Sequence, residues 1–169
     1  MTFKNILVAL ELSPRDESVF SEALSLAQNI GASLTLIHCL SDLTEIAMMS
    51  QTGMDSGMGL SGIPGASSMS PAIINMDLIE DANITKHQQA EKHLGLYQKQ
   101  ASSQGIPVKS KCYESTENIG SQICQIARDL NVDLIVIGRK KHNDIAEALL
   151  GSVSNHVLHH APCPILVIQ

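Results

Sequence analysis

At 169 residues and 44% apolar content the chain can form one domain with a sizeable core, and an aromatic content of 2% with no tryptophan makes that core aliphatic and offers no stacking platform for single-stranded nucleic acid. Eleven Lys plus Arg against 17 Asp plus Glu give a formal charge of −6, which argues against duplex binding, and Arg139-Lys140-Lys141 is too short a basic run to reverse that. Four cysteines form no C-x-x-C pair, no stretch approaches a membrane span, and Met1 to Asn5 lead directly into a strand-like run, so a cytoplasmic protein with reduced thiols is expected.

Ile6 to Leu10 is an unbroken apolar run, the mark of a strand buried on both faces. Ser13 suits an N-cap and Pro14 the first helical position. The helix that follows would bury Val19, Phe20, Ala23, Leu24, Ala27 and Ile30, with Gly31 ending it. Ser33 to Leu40 reads as a second buried strand. From 41 to about 80 the pattern breaks into a Gly-, Ser- and Met-rich stretch without period, expected to be a flexible loop insertion. Order resumes with a helix from about Asp81 to Ser103, closed by Gly105. Pro107 to Glu114 is a third strand whose polar Lys109 and Lys111 place it at a sheet edge. Glu117 to Leu130 is a helix burying Ile119, Ile123, Ile126, Ala127 and Leu130. Asp133 to Gly138 is a fourth strand, Ser152 to His160 a helix, and Pro164 to Ile168 a final strand.

Strands alternating with helices imply a doubly wound α/β fold with a parallel sheet and helices on both faces. In such sheets a ligand sits beyond the strand carboxyl ends where the winding reverses. The most distinctive strand tips are Glu11-Leu12-Ser13 and Gly138. If those two strands are neighbours, the order is 3-2-1-4-5. The segment from Gly138 to Ser154 has the makings of a phosphate cradle. A strand ends on glycine, and a second glycine, Gly151, opens a helix whose first turn carries Ser152 and Ser154. The plainer reading of the same segment is a strand exit followed by a capped helix.

His156, His159, His160 and Cys163 lie within eight residues. A metal site is one reading; a helix C-terminus that favours histidine through its dipole is preferred, because no carboxylate or second cysteine completes a ligand set. The methionines between 48 and 76 fit an adaptable surface loop better than a soft-metal site. No nucleophile elbow, H-E-x-x-H or Walker lysine is present, so no catalytic constellation is expected.

Ile6 to Ser13, Leu34 to Cys39, Asp133 to Gly138, Gly151 to Ser154 and Cys163 to Val167 agree in order and spacing with one family, and together they resemble a universal stress protein. The resemblance implies a five-stranded doubly wound domain spanning 1–169 that dimerises through its last strand. Its ATP-binding branch carries G-x2-G-x9-G-[S/T], which Gly138, Gly151 and Ser152 match, while Lys141 stands at the middle glycine. The resemblance implies phosphate contacts from Gly138, Lys141, Gly151, Ser152 and Ser154, with Arg139 and Val153 also in the cofactor site. Ala9, Leu10, Glu11, Cys39 and Ile137 would surround base and ribose, Glu11 standing where the family usually has Asp. ATP, or ADP or AMP, with magnesium or manganese is the implied ligand, and a regulated protein the implied partner. The alternative is a dimerisation module with a degenerate pocket that acts only through protein contacts.

Overall fold

The computed structural model describes residues 3–41, 76–115, 118–139 and 151–169. In chain order these form β1 (Asn5–Ala9), α1 (Asp16–Ile30), β2 (Ser33–Ser41), α2 (Met76–Ser103), β3 (Val108–Ser115), α3 (Ile119–Asp129), β4 (Leu134–Gly138), α4 (Ser152–His160) and β5 (Ile165–Ile168). The five strands make one sheet in the order β3-β2-β1-β4-β5, with every pair parallel. β1 and β4 are neighbours, with Ala9 opposite Ile137, and the expected winding reversal falls between them.

Side chains of successive strand residues point to opposite faces, and both faces are covered. Ile6, Val8, Leu34, Leu36 and Val136 pack with Phe20, Ala23 and Ala27 of α1 and with Leu94, Tyr97 and Ala101 of α2. Leu7, Ile37, Ile135 and Ile137 pack on the other side with Ile123, Ile126 and Ala127 of α3 and Val157 of α4. Double coverage is why the central strands read as continuous apolar runs. Each fully buried Leu or Ile contributes about 1.5–3 kcal/mol. Lys109 and Lys111 are exposed on β3, which is an edge strand as its alternation implied. Lys111 lies over the Tyr113 ring at 4.6 Å.

Several boundaries differ from the sequence reading. α1 begins at Asp16, not at Pro14, and the N-cap position is held by Arg15 without a side-chain cap bond. The Ser13 hydroxyl accepts from the Arg15 N–H at 3.3 Å, one residue short of capping the helix. Asp16 does not take over the cap; its carboxylate turns back onto the preceding loop. At the other end Gly31 sits in the left-handed region at φ 70°, as a C-terminal glycine should. Ile30 is only half-buried, while Leu130 is 43% exposed because it is the C-cap of α3, where the chain turns toward β4. The Asn118 side chain caps α3 by accepting from the Gly120 and Ser121 N–H groups. α2 starts five residues ahead of Asp81. The expected loop is thus bounded by Ser41 and Met76, and 42–75 lie outside the described residues. Among the described residues no helix is long and apolar enough to cross a membrane.

Candidate functional site

The carboxyl ends of β1, β2 and β4 surround a cavity of about 490 Å3, within the range of small-molecule sites. It lies at the point where the winding reverses, with α1 and α2 on one face and α3 and α4 on the other. Ten of the twelve residues singled out from the sequence line it. From β1 and its exit come Ala9, Leu10 and Glu11; from β2, Cys39; from β4, Ile137 and Gly138; from the start of α4, Gly151, Ser152, Val153 and Ser154.

Arg139 is not among the cavity-lining residues. Its N–H donates to the Ile168 carbonyl at 2.8 Å and its own carbonyl accepts from Arg15 Nη1 at 3.0 Å, so its backbone joins the site's exit to β5 and α1. Lys141 falls outside the described residues.

The phosphate end of the cavity is a helix start. α4 opens at Gly151, which has no side-chain cap bond. The first intrahelical bond runs from Asn155 N–H to the Gly151 carbonyl, so the N–H groups of Ser152, Val153 and Ser154 have no partner within the helix. All three residues line the cavity, where those N–H groups and the helix dipole favour an anion. Gly151 has φ −57°, a value open to any residue, so the benefit of glycine here is close approach rather than conformation. The two serines differ. Ser152 is exposed. Ser154 is buried, and its hydroxyl donates to the Gly138 carbonyl at 3.1 Å, fastening α4 to the tip of β4. Its hydroxyl proton is therefore already engaged. Gly138 has a packing reason of its own, since a Cβ there would stand 3.1 Å from Val19 Cγ2.

The rest of the cavity lining is mostly apolar. Ile119 and Ile123 of α3 contribute to it. Cys39 is buried, and its thiol is pushed up to about 12, first by desolvation and then by the Cys112 thiol. It stays protonated at neutral pH and acts as an apolar wall, not as a nucleophile. His38, absent from the sequence reading, is buried beside it; its Nδ1 lies 2.7 Å from the Leu10 carbonyl. A carbonyl only accepts, so Nδ1 carries the proton and the ring is held in one tautomer against the β1 exit.

Lys86 and Gln89 of α2 also line the cavity and were missed. Nothing local marks them. They come from a helix whose polar residues read as a solvated face, and only packing decides which of them meets the site. The β1–α1 loop is organised by Asp16, which accepts from the N–H groups of Glu11 at 3.0 Å and Leu12 at 2.9 Å.

The histidines of α4 come together in part: the His156 and His160 rings are 4.3 Å apart between centroids. Among the described residues no group of three or more His, Cys, Asp or Glu is placed to hold a metal ion.

Comparison with known proteins adds the family context. The model of the universal stress protein family matches residues 65–169. A universal stress protein of Synechocystis sp. is 25% identical over 170 residues, covering all of this chain and 99% of that protein. Among solved structures, the universal stress protein UspA from Lactobacillus plantarum superposes with a TM-score of 0.67 at 22% identity, covering 100% and 99% of the two chains. A universal stress protein from Archaeoglobus fulgidus, solved in complex with dAMP, gives a TM-score of 0.58 at 20% identity with full coverage of both chains. At these identities the structural likeness is one of fold.

Proposed function

From the premise that this chain belongs to the universal stress protein family, we propose that its cavity binds an adenine nucleotide and that the protein is a cytoplasmic regulatory dimer whose partner contacts change with the bound ligand. One observation carries the reading: the three residues opening α4, whose N–H groups have no partner within the helix, line the same cavity as the apolar side chains of Cys39, Ile119 and Ile123. Phosphates bind at the α4 start and the base against the apolar lining. The dAMP complex of the Archaeoglobus fulgidus relative adds support from a protein of the same fold.

Gly138, Gly151, Ser152 and Val153 hold the phosphates mainly through backbone, and Lys141 adds a point charge. Ala9, Leu10, Glu11, Cys39 and Ile137 surround base and ribose. Glu11, at the β1 exit, is the only carboxylate among the described cavity residues. Magnesium or manganese therefore fits as an ion carried by the phosphates and water, which suits the habit of magnesium to keep its waters. Bound there, it neutralises charge on the phosphates. Among the described cavity residues no group is placed as a general base at the phosphate end, so ligand binding and not turnover is the proposed activity.

Assembly follows from the two sheet edges. β3 presents Lys109 and Lys111, which discourage pairing, whereas β5 is Ile165-Leu166-Val167-Ile168 with an open edge. An isologous dimer through β5 is proposed.

Thermal unfolding with AMP, ADP and ATP plus magnesium tests the ligand. At a hundredfold excess over Kd the gain is about 2.7 kcal/mol, or roughly 5–10 °C for a domain of this size. Flat melting curves at millimolar concentrations of all three would refute nucleotide binding and favour a module that acts through protein contacts alone.

A further inference from the structure

We propose that Asp16 and His93 form a latch that positions two walls of the nucleotide cavity without touching the ligand. This inference rests on the nucleotide reading above. Asp16 is 2% exposed, and a carboxylate so buried must be fully partnered. Its Oδ1 accepts from the Glu11 N–H at 3.0 Å and from the Ser13 hydroxyl at 3.3 Å. Its Oδ2 accepts from the Leu12 N–H at 2.9 Å and faces His93 Nε2, also at 2.9 Å. Because Oδ2 is an acceptor for Leu12, Nε2 carries the proton that binds it.

Both sides of this bond belong to the cavity's frame. On one side, Glu11 and Leu12 line the cavity. Leu12 has φ 58°, a left-handed conformation unfavourable for a branched residue. The Asp16 carboxylate behind the loop accepts its N–H and helps hold it there. On the other side, His93 follows Lys86 by seven residues and Gln89 by four, so all three share one face of α2. Lys86 and Gln89 line the cavity; neither Asp16 nor His93 does. His93 is held in turn by an edge contact with Tyr97 at 5.0 Å between centroids, and Tyr97 packs on Phe20 of α1 at 4.5 Å. The hydrogen bond from His93 to Asp16 thus ties the α2 wall to the β1–α1 wall next to the cavity, beside the packing of Tyr97 on Phe20.

The test compares the full-length wild type with His93→Leu, which removes the donor, and His93→Gln, whose amide nitrogen can replace Nε2. Two quantities are read: AMP affinity by titration calorimetry with magnesium present, and amide hydrogen exchange at Glu11 and Leu12 by NMR without ligand. His93→Leu is expected to weaken AMP about tenfold and to speed exchange at both amides, given the strength of hydrogen bonds to charged groups. His93→Gln is expected to restore most of both. Wild-type affinity and exchange in the Leu variant would overturn the latch. So would equal defects in the two variants, since shape and not the bond would then matter. If the wild type binds no AMP, the nucleotide reading fails first, and the latch stands or falls on the exchange rates alone.

Discussion

Two serines one turn into the same helix should behave in opposite ways. The Ser154 hydroxyl is buried and donates to the Gly138 carbonyl, whereas Ser152 is exposed at the cavity rim. Ser154→Ala removes a bond that ties α4 to β4 and strands a partly buried carbonyl, which costs about 1–2 kcal/mol. Unfolding entropy near 2.1 cal/mol/K per residue makes each kcal/mol worth about 3 °C in a chain of this length, so the ligand-free protein should melt about 3–6 °C lower. Ser152→Ala breaks no hydrogen bond among the described residues, and its ligand-free melting point should stay within about 1 °C. With AMP and magnesium the order reverses. Ser152→Ala should weaken binding about three- to tenfold, the loss of one hydrogen bond of about 0.5–1.5 kcal/mol. Calorimetric melting of both variants with and without AMP reads all four values. A Ser154→Ala protein as stable as the wild type, or a Ser152→Ala protein destabilised without ligand, would refute the division of labour.

Gly151→Val places a branched side chain where the α4 start faces the cavity; the φ of −57° accommodates it, so AMP binding should be lost while circular dichroism stays unchanged. For the dimer, side-chain changes on β5 are poor probes, because Leu166 and Val167 pack against the protomer's own core. The Pro164 and Ile168 carbonyls accept from Ile135 and Arg139, so by the two-residue period the Val167 N–H points to the open edge. Val167→Pro should then give a folded monomer by light scattering; a persistent dimer would place the interface elsewhere. All four thiols are raised by burial, Cys39 from 9.0 to about 12. The unfolded chain releases these protons first, so stability is complete below pH 9 and falls as pH rises toward 12. Urea titrations from pH 8 to 11 should show that decline, and Cys39→Ala should reduce it.

The sequence alone determined the architecture and the backbone frame of the site. Unbroken runs such as Ile6–Leu10 and Asp133–Gly138 required a sheet covered on both faces, and polar Lys109 and Lys111 required an edge. Those signals are local, because a strand's burial is written in its own side chains. The strand tips and the Gly151 helix start were legible for the same reason; the full set of twelve site residues came from the family resemblance, and ten of them line one cavity. Tertiary structure decided the rest. Asp16 and His93 are 77 positions apart, and no periodicity links a buried carboxylate to a histidine on a later helix. Lys86 and Gln89 look like any polar residues of a long helix until α2 is docked. Ser154 and Ser152 are the same residue two positions apart, yet the 3.6-residue turn sends one inward to Gly138 and leaves the other at the rim. Which hydroxyl holds the fold and which is exposed at the cavity depends on the rotation of α4 against β4, and that is set by packing on Val157 and its neighbours in the core, not by the sequence of the loop itself.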